Sequence, residues 1–231
     1  MSLGKNNSIT FGGNILDKEK AGKYTGHSKG RESSGKGSSN KYFYPIYGIL
    51  LLVTIFITYI ILQNTEEPIR TIRRFAGTFG YLTVFLAIVT SEYMAKMKKI
   101  SGLPFMTAHH NLARIGLLLI LIHPLTFILQ GRGIGIFSPI SPTNVFIGLA
   151  GRPAFYLFFL AAGIALYRKK YKNWRKVHYL SYLAFLLVTL HALMLGDDFE
   201  LAIMRILAIA MAITVIVIFI HKRSASGRKR K

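Results

Sequence analysis

Residues 174–196 read WRKVHYLSYLAFLLVTLHALMLG, an apolar stretch long enough to cross a bilayer that carries His178 near its start and His191 near its end. An ionisable side chain in hydrocarbon costs about 2.5–3.5 kcal/mol on insertion scales, so these histidines are expected to face other helices and to serve a function. A second segment supplies partners. Residues 105–130, FMTAHHNLARIGLLLILIHPLTFILQ, carry His109 and His110 near the start and His123 further on. Two helices, each with one histidine low and one high, are suited to clamp two flat ligands between them.

Composition sets the class. The chain has 231 residues, 52% of them hydrophobic, a net charge of +21, a mean hydropathy of +0.39 and a pI near 10.3. That is too much apolar sequence for a soluble protein of such charge, and it reads as a polytopic, all-α membrane protein with basic flanks. The cations sit at the ends of apolar spans rather than along one soluble face, so membrane topology accounts for them better than nucleic acid does. No cysteine is present. This excludes disulfides, thiolate zinc sites, cysteine-ligated iron-sulfur clusters and cysteine nucleophiles, and leaves histidine or carboxylate to hold any metal.

Residues 1–41 are rich in Gly, Ser, Asn and Lys and have no apolar run, so a disordered basic tail is expected there, with His27 simply solvated. Residues 42–222 form the expected transmembrane domain and 223–231 a basic C-terminal tail. Six spans near the ~20 residues needed to cross the hydrocarbon follow one another. They are Tyr42–Gln63, Phe75–Met97, Phe105–Gln130, Val145–Arg168, Trp174–Gly196 and Leu201–His221. Basic connections (Lys96–Lys99; RKKYKNWRK, 168–176; the tail HKRSASGRKRK) alternate with NTEEPIRTIRR, GRGIGIFSPISPTN and the acidic GDDFE. The positive-inside rule places both termini of this six-helix bundle in the cytoplasm, with only Arg70, Arg73 and Arg74 against it.

With that orientation, His109 or His110 and His178 lie near the cytoplasmic side, and His123 and His191 nearer the outer side. The separations, 14 residues for His109 to His123 and 13 for His178 to His191, correspond to roughly 20 Å along a helix. On an ideal wheel at about 100° per residue, fourteen steps return to within about 40° of the start and thirteen miss by about 140°. His109 and His123 therefore share a face, while His178 and His191 need a helix irregularity to do so. His110 is the alternative to His109. Zinc prefers three or four ligands close together, whereas a flat macrocycle with one imidazole on each side needs only two, so bis-histidine b-type haem is the economical reading.

The runs HYLSYLAFLLVTLHAL and HHNLARIGLLLILIHPL, with their 14- and 13-residue histidine spacings, resemble the ferric reductase-like transmembrane domain. That family includes the NADPH oxidases, ferric and cupric reductases and the haem-binding membrane subunit of the periplasmic methionine sulfoxide reductase. The resemblance covers spans two to six, and the first span by count. It implies six helices holding one or two b haems that pass electrons across the membrane of the cell, with His109 and His178 at the inner haem and His123 and His191 at the outer. It implies an oxidoreductase subunit. The oxidases and ferric reductases continue into a flavin and nicotinamide domain, but this chain runs only ten residues past His221, and GRGIG (131–135) is too short for a dinucleotide loop. A separate donor is therefore expected, either a flavoprotein carrying its own flavin or a quinol. The expected acceptor outside is ferric ion, oxygen or a reductase partner.

Arg114, Arg152 and Arg205 fall within or just inside the apolar layer, where they are candidates to pair with haem propionates, and Glu92 is a candidate counter-charge for Arg114. The basic inner connections meet anionic lipid and are candidates to dock an acidic donor. Arg73, Arg74 and the 138–144 loop are candidates for an acceptor mouth. The competing reading is a six-helix proton or anion carrier or channel whose histidines and arginines line the path. A transporter is expected to show inverted repeats or broken helices, and no repeat is visible beyond the shared histidine pattern.

Overall fold

The computed structural model describes residues 43–63, 67–101, 105–138 and 150–228. The expected tail over 1–41, the 139–144 part of the outer loop, the start of the fourth span at 145–149 and the last three residues lie outside them.

Among the described residues seven helices follow in order: α1 (Phe43–Gln63), α2 (Pro68–Ser101), α3 (Phe105–Phe127), α4 (Gly151–Leu166), α5 (Trp174–His178), α6 (Leu180–Leu195) and α7 (Ala202–Arg228). A π turn (Ile128–Arg132) and a 3₁₀ turn (Ile134–Phe137) continue α3, and a second 3₁₀ turn (Asp197–Glu200) joins α6 to α7. Among the described residues there is no strand. Four stretches of the described residues are long and apolar enough to cross a membrane: Pro68–Tyr93, Met106–Gly131, Trp174–Leu195 and Ala202–Ser224. Gly48–Gln63 and Gly151–Leu166 are apolar but shorter. At 1.5 Å per residue, the 16 residues of α4 reach only about 24 Å of the roughly 30 Å of hydrocarbon.

Three elements depart from the expected spans, the first being α7, which runs to Arg228, seven residues past the expected end at His221 and into the expected basic tail. Helix α2 begins seven residues before Phe75, because Pro68 sits at the first helical position, where its fixed φ and missing N–H cost nothing. The stretch 174–196 is not one helix. It breaks at Tyr179, where Tyr182 N–H bonds Tyr179 O at 3.1 Å, a three-residue step. A 3₁₀ step advances the chain 120° per residue rather than 100°. The break thus changes the phase of His178 relative to His191, the irregularity that their 13-residue spacing calls for.

Helix α2 packs most extensively on α3, and α4 packs on α6. The core joins α1, α2, α6 and α7 through Ile57, Ile61, Tyr81, Val84, Phe185, Met204 and Val215, all buried. Tyr81 stacks on Phe185 with ring centroids 4.8 Å apart and shares a hydrogen bond with Thr189. Large apolar side chains also cover the outside, among them Leu52 and Ile55 on α1 and Ile206, Ile213 and Val217 on α7. So much exposed apolar surface suits a hydrocarbon solvent and not water.

Candidate functional site

The bundle brings the histidines together in two pairs. The ring centroids of His109 and His178 are 6.4 Å apart with planes at 84°, and those of His123 and His191 are 6.3 Å apart at 86°. His110 stands beside His109, with centroids 5.8 Å apart. The two pairs are separated along α3 by the fourteen residues from 109 to 123.

The imidazoles of His109, His123 and His178 are held by main-chain carbonyls of a neighbouring helix. His109 Nδ1 lies 2.8 Å from Ala87 O, His123 Nδ1 lies 3.1 Å from Arg73 O, and His178 Nδ1 lies 3.0 Å from Ala161 O. A carbonyl can only accept, so Nδ1 donates in each, which fixes the tautomer and leaves the Nε2 lone pair for a ligand. This is the arrangement in which histidine commonly binds metal. On α2 the two carbonyls are themselves fourteen residues apart, matching the spacing of the histidines that they hold on α3.

The spacing across each pair tests the fit of a metal between them. An imidazole nitrogen binds a metal at about 2 Å and lies about 1.1 Å from its ring centroid, so two rings facing across one ion have centroids about 6.3 Å apart. Both observed distances agree. Among the described residues no group of three or more His, Asp or Glu side chains is assembled to hold a metal; each pair offers two imidazole donors.

The surroundings of His123 and His191 are cut close. A Cβ on Gly77 would lie 2.8 Å from His123 Nδ1, and one on Gly151 would lie 2.9 Å from His191 Nδ1. Glycine at these two places lets each ring lie against the backbone of the adjoining helix. Phe127 meets His123 edge-on at 5.8 Å, and the Arg73 guanidinium lies 4.6 Å from the Phe127 ring centroid while bonding Gln130. This pair opens on a cavity of about 600 Å³ whose walls include Arg152, Phe155, Tyr156, Arg74 and Asp198, a volume in the range of cofactor sites. Ala150, just before α4, is held at φ 38°, a left-handed conformation that an alanine rarely adopts.

The arginines singled out in the sequence separate. Arg152 lines the cavity, with Nη1 3.5 Å from Ser138 O. Arg205 instead donates from Nε to Phe199 O at 2.7 Å. Arg114 is exposed on α3. Glu92 does not pair with it: its carboxylate lies 3.4 Å from Lys222 Nζ and 3.9 Å from His221 Nε2, and Lys222 also donates to Ser91 and Tyr182. Position along a span predicts depth but not direction around the helix axis, so the partner came from α7 and not α3.

Sequence reasoning missed the ion pair at the cavity wall. Asp198 accepts from Arg74 through both Nε and Nη2 and from Thr78 Oγ1 at 3.1 Å, while Arg74 Nη1 donates to Ile61 O. Both side chains are buried, 7% and 5% exposed. One turn earlier on α2, Arg70 binds Asp197 at 2.8 Å in a pair open to solvent. The signal was present: two arginines at i and i+4 stand against the positive-inside rule, and two adjacent aspartates lie in a connection assigned to the same side.

Residues 74–189 match the family described as ferric reductase like transmembrane component. The match includes His109, His123 and His178 and ends two residues before His191. No curated protein and no solved structure matches the chain. With half of its sequence in that match and several helices of membrane-crossing length and apolarity, the chain belongs to the ferric reductase-like transmembrane component family, an integral membrane protein of a group that moves electrons across membranes.

Proposed function

We propose that this chain is a six-span, haem-carrying electron-transfer subunit with both termini in the cytoplasm of the cell, oxidising a separate donor inside and reducing an acceptor outside. The observation that carries the reading is the pair of matched histidine centres, 6.4 and 6.3 Å across, with Nδ1 of His109, His123 and His178 engaged on carbonyl oxygen.

In this reading His109 and His178 hold an inner b haem, and His123 and His191 an outer one. When bound, these groups supply one-electron carriers at two depths of a barrier that ions and water do not cross. The protein's part is binding, orientation and exclusion of water. Ala87, Arg73 and Ala161 aim the imidazoles through their carbonyls. Gly77 and Gly151 provide the space for the rings. Arg152, on the cavity wall, would pair with a propionate there. Arg114, exposed on α3, serves that end only if it turns inward, and His110 is an inner neighbour rather than a ligand.

The donor side is supported by the connection between α4 and α5. Arg168, Lys169, Lys170, Lys172, Arg175 and Lys176 are all exposed there, and Trp174, beneath Arg175, has its ring centroid 6.0 Å from that of His178. Anionic lipid and an acidic flavoprotein, or a quinol in the adjoining leaflet, fit this end. The acceptor is ferric ion, oxygen or an outer reductase partner. The whole unit is an oxidoreductase that takes its electrons from a partner.

The test is an optical spectrum of the purified protein in detergent, oxidised and dithionite-reduced, with haem quantified as the pyridine haemochrome. Sharp low-spin b-type bands at two haems per chain are expected. One haem would remove one pair from the reading. A colourless protein from cells supplied with haem would overturn it and leave the carrier or channel reading in its place.

A further inference from the structure

We infer that Asp198 is the counter-charge that keeps Arg74 from raising the reduction potential at the His123–His191 centre, so that this centre releases its electron instead of trapping it. The inference rests on the haem reading above and adds an electrostatic control to it.

Arg74 and Asp198 both line the cavity into which His123 and His191 open, and both are almost wholly buried. A buried charge acts through a low effective dielectric and over a longer reach than one in water. Arg74 is also next in sequence to Arg73, whose carbonyl holds His123, so its charge belongs to the immediate surroundings of that imidazole. Reduction adds one negative charge to the centre. A lone guanidinium beside it would favour the reduced state, and a lone carboxylate would oppose it. Together the two nearly cancel. The bonds from Thr78 and to Ile61 O hold the pair at a fixed distance from the cavity. Loss of either partner weakens the fold in the same sense, whereas a pair that also tunes the centre moves the potential in opposite directions for the two losses. That difference of sign separates the two roles.

The experiment uses the full haem-loaded chain in nanodiscs and a spectroelectrochemical titration. His123→Ala first identifies the wave of the outer centre by its disappearance. Asp198→Asn is expected to shift that wave to higher potential and Arg74→Gln to lower potential. The double variant is expected near the wild type, and the inner wave should be unmoved in all three. Arg70→Gln, which removes a solvent-exposed cation one turn away, is expected to move neither wave. Shifts of the same sign in the two single variants, no shift with haem content intact, or an equal shift in Arg70→Gln would overturn the inference. If the single variants fail to accumulate, the double variant still keeps the inference open to refutation: a displaced outer wave overturns cancellation. A wild-type protein without haem overturns the proposed function itself, a failure distinct from loaded protein with unmoved waves.

Discussion

The two histidine centres are alike where a ligand would be gripped and different everywhere else. Their rings stand at the same distance and near the same right angle. Around His109 and His178, however, the helices present Ala87 and Ala161, and a partly exposed Lys222–Glu92 pair with Ser91 lies about one turn along α2 from Ala87. Around His123 and His191 they present glycines, a cavity of about 600 Å³ and a buried ion pair. Shared geometry marks what both centres must do. The contrast marks what each end of the bundle meets: one is packed against a basic surface, and the other is shaped and charged from within.

The sharpest way to break this comparison is to remove the rings one at a time. His109→Ala, His178→Ala, His123→Ala and His191→Ala should each lower the haem content by half, whereas His110→Ala should retain both equivalents. A haemochrome assay in which His110→Ala lost a haem and His109→Ala did not would reverse the assignment of the inner centre.

Removing one partner of a buried ion pair strands the other, at a cost of about 3–5 kcal/mol. Asp198→Ala should therefore lower stability in denaturant titration by about that much, and the double variant Arg74→Met/Asp198→Leu by far less. Gly77→Ala and Gly151→Ala should cost about 1–3 kcal/mol through overpacking, with loss or broadening of the outer centre's spectrum alone. Ala87→Gly, which opens space at the inner centre, should cost about 0.5–1 kcal/mol, the ordinary helix penalty. Smallest of all, Glu92→Gln at the partly exposed Lys222 pair should change stability by about 1 kcal/mol or less. If Glu92→Gln proved as damaging as Asp198→Ala, the contrast between the two ends would fail.

Much of this was written plainly in the chain. Apolar length placed four of the six expected spans, and the positions of His109, His123, His178 and His191 carried both the pairing and the family resemblance. The break at Tyr179 was not legible, because HYLSY contains neither proline nor glycine; only the awkward 13-residue spacing hinted that the helix had to change phase. Arg74 and Asp198 lie 124 residues apart, beyond any local pattern. The Glu92–Lys222 pair was misjudged for Arg114 because charge at matching depth does not reveal which helix lies alongside. The carbonyl tethers leave no mark in the sequence at all, since every residue has the same main-chain oxygen.

That last feature carries a consequence for how such a protein can drift over generations. The oxygens that aim His109, His123 and His178 belong to Ala87, Arg73 and Ala161, yet any amino acid that keeps the helix intact offers the same oxygen in the same place. The second layer of the site is thus inherited as backbone shape rather than as residue identity. Its side chains at 73, 87 and 161 are free to vary as far as packing allows, while the imidazoles in front of them stay pointed the same way.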